Sequence, residues 1–139
     1  MKINNDIEEQ YCSFNISKLL KEKGFGRYCF YCYNSDGTDK NLLELWSPGC
    51  EGGIDLEDWC INYNLPHFNL ISKPTLSIVI SWIRVNFGIH ISIDFDSKNW
   101  FGVITTLPNK DREIYGEYNT PEEATENSIL YVLTNLILN

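Results

Sequence analysis

Ile89-His90-Ile91-Ser92-Ile93-Asp94-Phe95 alternates apolar and polar side chains without a break. Successive side chains on a strand point to opposite faces. The stretch therefore predicts a half-buried strand with Ile89, Ile91, Ile93 and Phe95 inward, and His90, Ser92 and Asp94 on a solvated face. Downstream, Asp96-Ser97-Lys98-Asn99 is turn chemistry, and Trp100 to Leu107 reads as a second strand. Pro108-Asn109-Lys110-Asp111 turns the chain again into a third strand, Glu113 to Tyr118. Thr120-Pro121-Glu122-Glu123 then opens a helix, with Thr120 as cap, Pro121 at the first position and Glu123 closing a capping box. Ala124, Ile129, Val132, Leu133 and Leu136 are its core-facing residues.

Upstream of Ile89, Gly88 is a helix stop. The helix it ends is expected to open at Ser72-Lys73-Pro74-Thr75, with Ser72 as the cap. Leu76, Val79, Ile80, Ile83 and Phe87 form a stripe at helical spacing, and Ile78, Trp82 and Val85 extend apolarity around it, which predicts heavy burial. The β-branched residues also allow a strand reading; length and Gly88 favour the helix. The second half thus reads α-β-β-β-α, an antiparallel meander with both helices on one face.

The first half is expected to extend or cover that sheet. Ser17 to Lys23 has helical spacing, with Asn15 or Ser13 as cap and Gly24 as stop. Arg27 to Tyr33 is aromatic and reads as a strand. Asn34-Ser35-Asp36-Gly37 turns it toward a return strand at Leu42 to Trp46, making a hairpin. Asp55 to Asn62 reads as a short helix, Asn64 to Leu70 as loop, and residues 1–12 as a loosely ordered lead-in.

The bulk properties fit one α+β domain spanning 1–139: 43% hydrophobic and 22% charged residues are globular proportions. Met1 to Gln10 is polar and acidic rather than basic and then apolar, and Leu76 to Ile80 is too short an apolar run to span a bilayer. With five cysteines, an odd number, the expectation is a cytoplasmic protein with thiols and no membrane partner. The 11 basic residues are outnumbered by 19 acidic ones, a net charge of −8, which disfavours direct nucleic-acid binding.

Two resemblances follow from these residues. The α-β-β-β-α order resembles the double-stranded RNA-binding domain, which implies a shared topology. That family holds phosphate at a lysine-rich start of its last helix, whereas Thr120-Pro121-Glu122-Glu123-Ala124-Thr125-Glu126 supplies carboxylates, so the RNA function does not carry over. Ile71-Ser72-Lys73-Pro74-Thr75-Leu76, Trp82-Ile83-Arg84, Ile89-His90-Ile91 and Glu122-Glu123-Ala124 resemble a pattern in small uncharacterised proteins of gut Bacteroidales phages and mobile elements. Ser17 to Phe25 shares that character. The resemblance covers residues 14–25 and 70–137 and implies a phage or mobile-element setting without an activity; 26–69 matches nothing.

Candidate chemistry is sparse. Cys29-Phe30-Tyr31-Cys32, with Cys50 and Cys60, supplies four thiols of the kind zinc takes, but the pair sits in a predicted strand and the onward spacings are irregular; ordinary semi-buried thiols are the plainer reading. A redox C-x-x-C needs a helix N-terminus, which is absent here. His90, Ser92 and Asp94 have the residue types of a hydrolase triad, yet same-face strand neighbours lie about 6–7 Å apart at the backbone. Asp55, Glu57 and Asp58 could hold a hard cation or simply start a helix. Trp46, Trp59, Trp100 and Tyr115 are the candidate interaction residues, since exposed Trp and Tyr anchor interfaces. The expectation is a non-enzymatic protein without cofactor, catalytic set or metal, acting by binding a protein partner or itself. The alternatives are an acidic nucleic-acid mimic that inhibits a host enzyme, and a small metalloprotein or enzyme.

Overall fold

The alternation at 89–95 does form a strand, and the computed structural model of the protein, which describes residues 10–40 and 61–137, is organised around it. The elements are α1 (Phe14–Glu22), β1 (Tyr31–Asn34), a 3-10 turn (Pro66–Phe68), β2 (Leu70–Lys73), α2 (Leu76–Phe87), β3 (Ile89–Phe95), β4 (Trp100–Thr106), β5 (Asp111–Tyr118) and α3 (Pro121–Tyr131), which runs on into a π turn at Val132–Leu136. The class is α+β, with an antiparallel sheet β3-β4-β5 and a separate antiparallel pair β1-β2.

The meander keeps tight register: Ile91 faces Ile104, and Ile104 faces Glu113. Ile89, Ile91 and Ile104 are buried on the face that α3 covers, where Ile129, Val132 and Leu133 meet them, and α2 adds Val79 and Ile83. The same cluster includes Cys12, Ile16, Leu20, Phe25 and Tyr63 from the first half of the chain. Trp82 joins the two parts, edge-on to Phe25 at 5.2 Å between ring centroids.

Helix α3 sits directly over Gly102. A Cβ there would overlap Ser128 Oγ and lie 3.0 Å from Ser128 Cβ. Only glycine lets the helix approach this closely. Beside it, the β4-β5 register shifts between Trp100 and Gly102, and Gly116 in β5 has φ +82°, with the Tyr118 ring filling the place a side chain would take. Tyr115 stacks on Tyr131 at 4.5 Å, and Tyr131 donates its hydroxyl proton to Glu113 at 2.9 Å, fixing α3 to the edge strand.

Caps close the helices. Ser13, rather than Asn15, accepts from Ile16 N at the start of α1, which begins three residues earlier than the spacing from Ser17 suggests. Thr120 accepts from Glu123 N at the start of α3. For α2 the cap is Thr75, which accepts from Ile78 N, and not Ser72, which lies in β2 opposite Cys32. Proline disfavours the helical conformation in the residue before it, so Lys73 stays extended and the first competent cap follows Pro74.

Other expectations are corrected. Strand β1 starts at Tyr31, because Cys29 instead bridges Ile61 and Tyr28 turns outward. Its named partner is β2, a strand read from sequence partly as loop and partly as helix cap. The turn at Asn34 closes as expected, with Asn34 N donating to Thr38 O and Tyr33 bridging Asp39; the return strand at 42–46 and the helix at 55–62, up to residue 60, lie outside the described residues. Gln10 to Cys12 are tied to the start of α2: Leu76 N donates to Gln10 O, Cys12 N to Pro74 O, and Cys12 is buried. Phe95 is 46% exposed, since it lies at the sheet end beyond the reach of α3, where it packs on Trp100. Helix α2 is not buried all round, for Val85 is 70% exposed.

Gly102→Ala is expected to lower stability by about 1–3 kcal/mol through overpacking. Adding Ser128→Ala should return part of that loss in urea denaturation. Equal stability of Gly102→Ala and the parent would contradict this seating of α3.

Candidate functional site

Because α3 covers one face of the meander, alternation sends the other set of side chains to the opposite face. Register lines up His90, Thr105 and Arg112 in one row across it, and Ser92, Val103 and Ile114 in the next. Asp94 and Phe101 form a third pair. Ile114 is 75% exposed, and Val103 and Phe101 are half-buried beside it. The face is thus apolar along its middle and polar along the β3 flank.

At the end of this face nearest the α2-β3 junction lies a concavity of about 430 Å³ lined by Arg84, His90, Thr105, Leu107, Lys110 and Arg112. Each part of the chain contributes for a local reason. Arg84 stands in the last turn of α2, where a cation suits the helix dipole. Gly88, left-handed at φ +68°, turns the chain from α2 into β3. Leu107 N donates to Gly88 O at 2.7 Å, continuing the β3-β4 pairing past Thr106. Lys110 lies in the β4-β5 turn with φ +58°, a conformation uncomfortable for a lysine. Asp111 pairs with Thr106 and so points to the face opposite Arg112.

Arg84, Lys110 and Arg112 make no ion pair or side-chain hydrogen bond among the described residues, and His90 Nδ1 is buried without a hydrogen-bond partner there. Two arginines and a lysine around one concavity, without an ion pair among the described residues, give it a basic lining in a chain of net charge −8. Lys73 gives the contrast: it pairs with Asp39 at 2.9 Å and lies over the Tyr33 ring at 4.9 Å, next to a smaller concavity of about 140 Å³.

The residues singled out from sequence fare differently. His90, Ser92 and Asp94 share the outer face, but no hydrogen bond links them among the described residues. Ser92 Oγ reaches toward Val103 O at 3.5 Å, and Asp94 accepts from Phe95 N at 2.8 Å. Cys29 and Cys32 are both buried; Cys50, Cys60, Trp46, Trp59, Asp55, Glu57 and Asp58 lie outside the described residues. Among the described residues no group of three or more His, Cys, Asp or Glu side chains is placed to hold a metal ion. Trp100 and Tyr115 are half-buried on the α3 side, each packed against an aromatic neighbour, so the open face is formed by Phe101, Val103 and Ile114 instead. The basic group escaped the sequence reading because its members span residues 84 to 112 with no motif; only strand register brings them together.

No family model matches the chain, and neither a curated protein nor a solved structure is similar to it. Among the described residues no helix is long and apolar enough to cross a membrane.

The buried thiols are poor nucleophiles. Burial pushes Cys32 up to about 11, against the opposing pull of Lys40. Cys12 is pushed higher still, by burial first and then by Glu126 and Cys29. Both keep their protons in the fold at pH values where the unfolded chain, titrating near 9, loses them. Their stabilising contribution is fully present below pH 9 and is lost as the pH rises through the folded values, at up to about 1.4 kcal/mol per pH unit for each thiol. Urea midpoints should therefore fall between pH 9 and 11, and the fall should shrink in Cys32→Ala. A flat profile for the parent protein over that range would contradict the burial of these thiols.

Proposed function

We propose that this chain is a non-enzymatic accessory protein of phage or mobile-element type, working in the bacterial cytoplasm by binding a protein through the open face of β3-β4-β5. The observation that carries the reading is Ile114, 75% exposed on the edge strand β5, where Val103 and Phe101 of the neighbouring β4 extend the apolar surface. An apolar patch rimmed by polar residues is a recurrent mark of interaction surfaces. The rim here is cationic at one end, at Arg112, Lys110 and Arg84, which suits a partner presenting apolar side chains next to carboxylates. The hydroxyl and carboxylate nearest the patch, on Ser92 and Asp94, are directed at the sheet's own backbone, which favours binding over catalysis. The nucleic-acid-mimic reading draws less support, because this face breaks the acidic surface with cations.

A photo-crosslinking side chain placed at position 114 tests the proposal, with the equally exposed Val85 as control position. Position 114 is expected to give a discrete adduct with a second protein in the bacterial host, and position 85 none. Ile114→Asp should abolish assembly while changing stability by no more than about 0.5 kcal/mol, as surface substitutions usually do. An adduct of twice the chain mass would assign the face to self-association. Equal, diffuse labelling from both positions would defeat the reading.

A further inference from the structure

The geometry points to the concavity formed by Arg84, His90, Thr105, Leu107, Lys110 and Arg112 as a binding site for a small phosphate monoester. This site does not depend on the apolar patch around Ile114 or on any protein partner.

Charge comes first. Two arginines, a lysine and a threonine line one concavity, and the three basic residues make no ion pair among the described residues. Such an arrangement is matched best by an anion of more than one charge with several acceptor oxygens, because like charges held together gain most from one polyvalent counterion. A guanidinium fork meets two phosphate oxygens at once, and Lys110 can serve a third as a point charge. The carboxylates closest in sequence do not neutralise the site: Asp111 lies on the opposite face, and Glu113, also on that face, accepts from Tyr131.

Size comes second. At about 430 Å³ the concavity falls in the range of small-molecule sites and is far larger than a bare oxyanion requires. Leu107 lies in the same lining, and arginine and lysine carry aliphatic stems as well as charge, so the site can also face an organic body. The structure also puts Lys110 in a left-handed turn conformation at φ +58°, where glycine or asparagine would rest more easily. His90, with its unpartnered buried Nδ1, lies in the same row as Thr105 and Arg112 and offers a further polar contact.

Titration calorimetry and amide chemical-shift mapping test the site, with phenyl phosphate, inorganic phosphate and benzoate as probes at low salt. Phenyl phosphate is expected to bind, with shifts centred on residues 84, 90, 105, 110 and 112. Inorganic phosphate should bind about tenfold more weakly and benzoate more weakly still. Arg112→Gln and Arg84→Gln should each reduce phenyl phosphate affinity at least tenfold with unchanged circular dichroism, and Lys18→Gln, at an exposed lysine of α1, should leave it unaltered. Equal affinity for inorganic and phenyl phosphate would overturn the organic part of the ligand. Equal affinity for benzoate would overturn the phosphate preference. No saturable binding, or the same loss in Lys18→Gln as in Arg112→Gln, would overturn the site.

Discussion

The close approach of α3 to β4 at Gly102 governs the rest of the molecule. With no side chain at that position, Ser128 sits against the sheet backbone, and Ile129, Val132 and Leu133 reach Ile89, Ile91 and Ile104. A helix seated this deeply takes up most of one face of a three-stranded sheet, leaving only its end at Phe95 open. The alternate residues of every strand are then left to the other side, so the composition of the open face follows from where the helix lies. Helix α2 settles along the β3 side with its last turn beside the basic concavity.

Strand alternation, together with the cap at Thr120 and the stop at Gly88, is the most legible signal in the sequence. Residues 89–95, the capped start at Thr120 and the stop at Gly88 all rest on local physical chemistry that the surrounding structure does not override. Partner choice was less legible. The aromatic run before Asn34 indicates a strand, but nothing local says that β1 would pair with residues 70–73 or that Cys29 would turn to Ile61. The cap of α2 was misplaced because Ser72 and Thr75 are both good cap residues, and the restriction that Pro74 places on its predecessor decides between them. The inward assignment of Phe95 failed because alternation gives the side of a sheet and not how far its covering helix extends.

The candidate site was the least legible part. Sequence reading favours groups that are near in the chain, such as Cys29 and Cys32 or His90, Ser92 and Asp94. The structure makes the first two buried thiols and gives the last two backbone partners. The group that does come together draws one residue from the end of a helix, one from each of the three strands, and two from the turn between β4 and β5. Net charge concealed it further, since an average of −8 says nothing about where the few cations stand. The total charge of a small domain constrains its solubility more than its recognition chemistry.

Gly116 has a wider consequence. A three-stranded sheet has two outer strands, and an outer strand such as β5 is a template for unwanted polymerisation. Along β5 the ladder is interrupted by the register shift and by the positive φ of Gly116, and Asp111, Arg112, Glu113 and Glu117 punctuate it with charges of both signs. Another extended chain laid alongside would find neither a straight hydrogen-bonding row nor a uniform surface. The kink thus makes this edge a poor template for another strand, so that β5 ends the sheet.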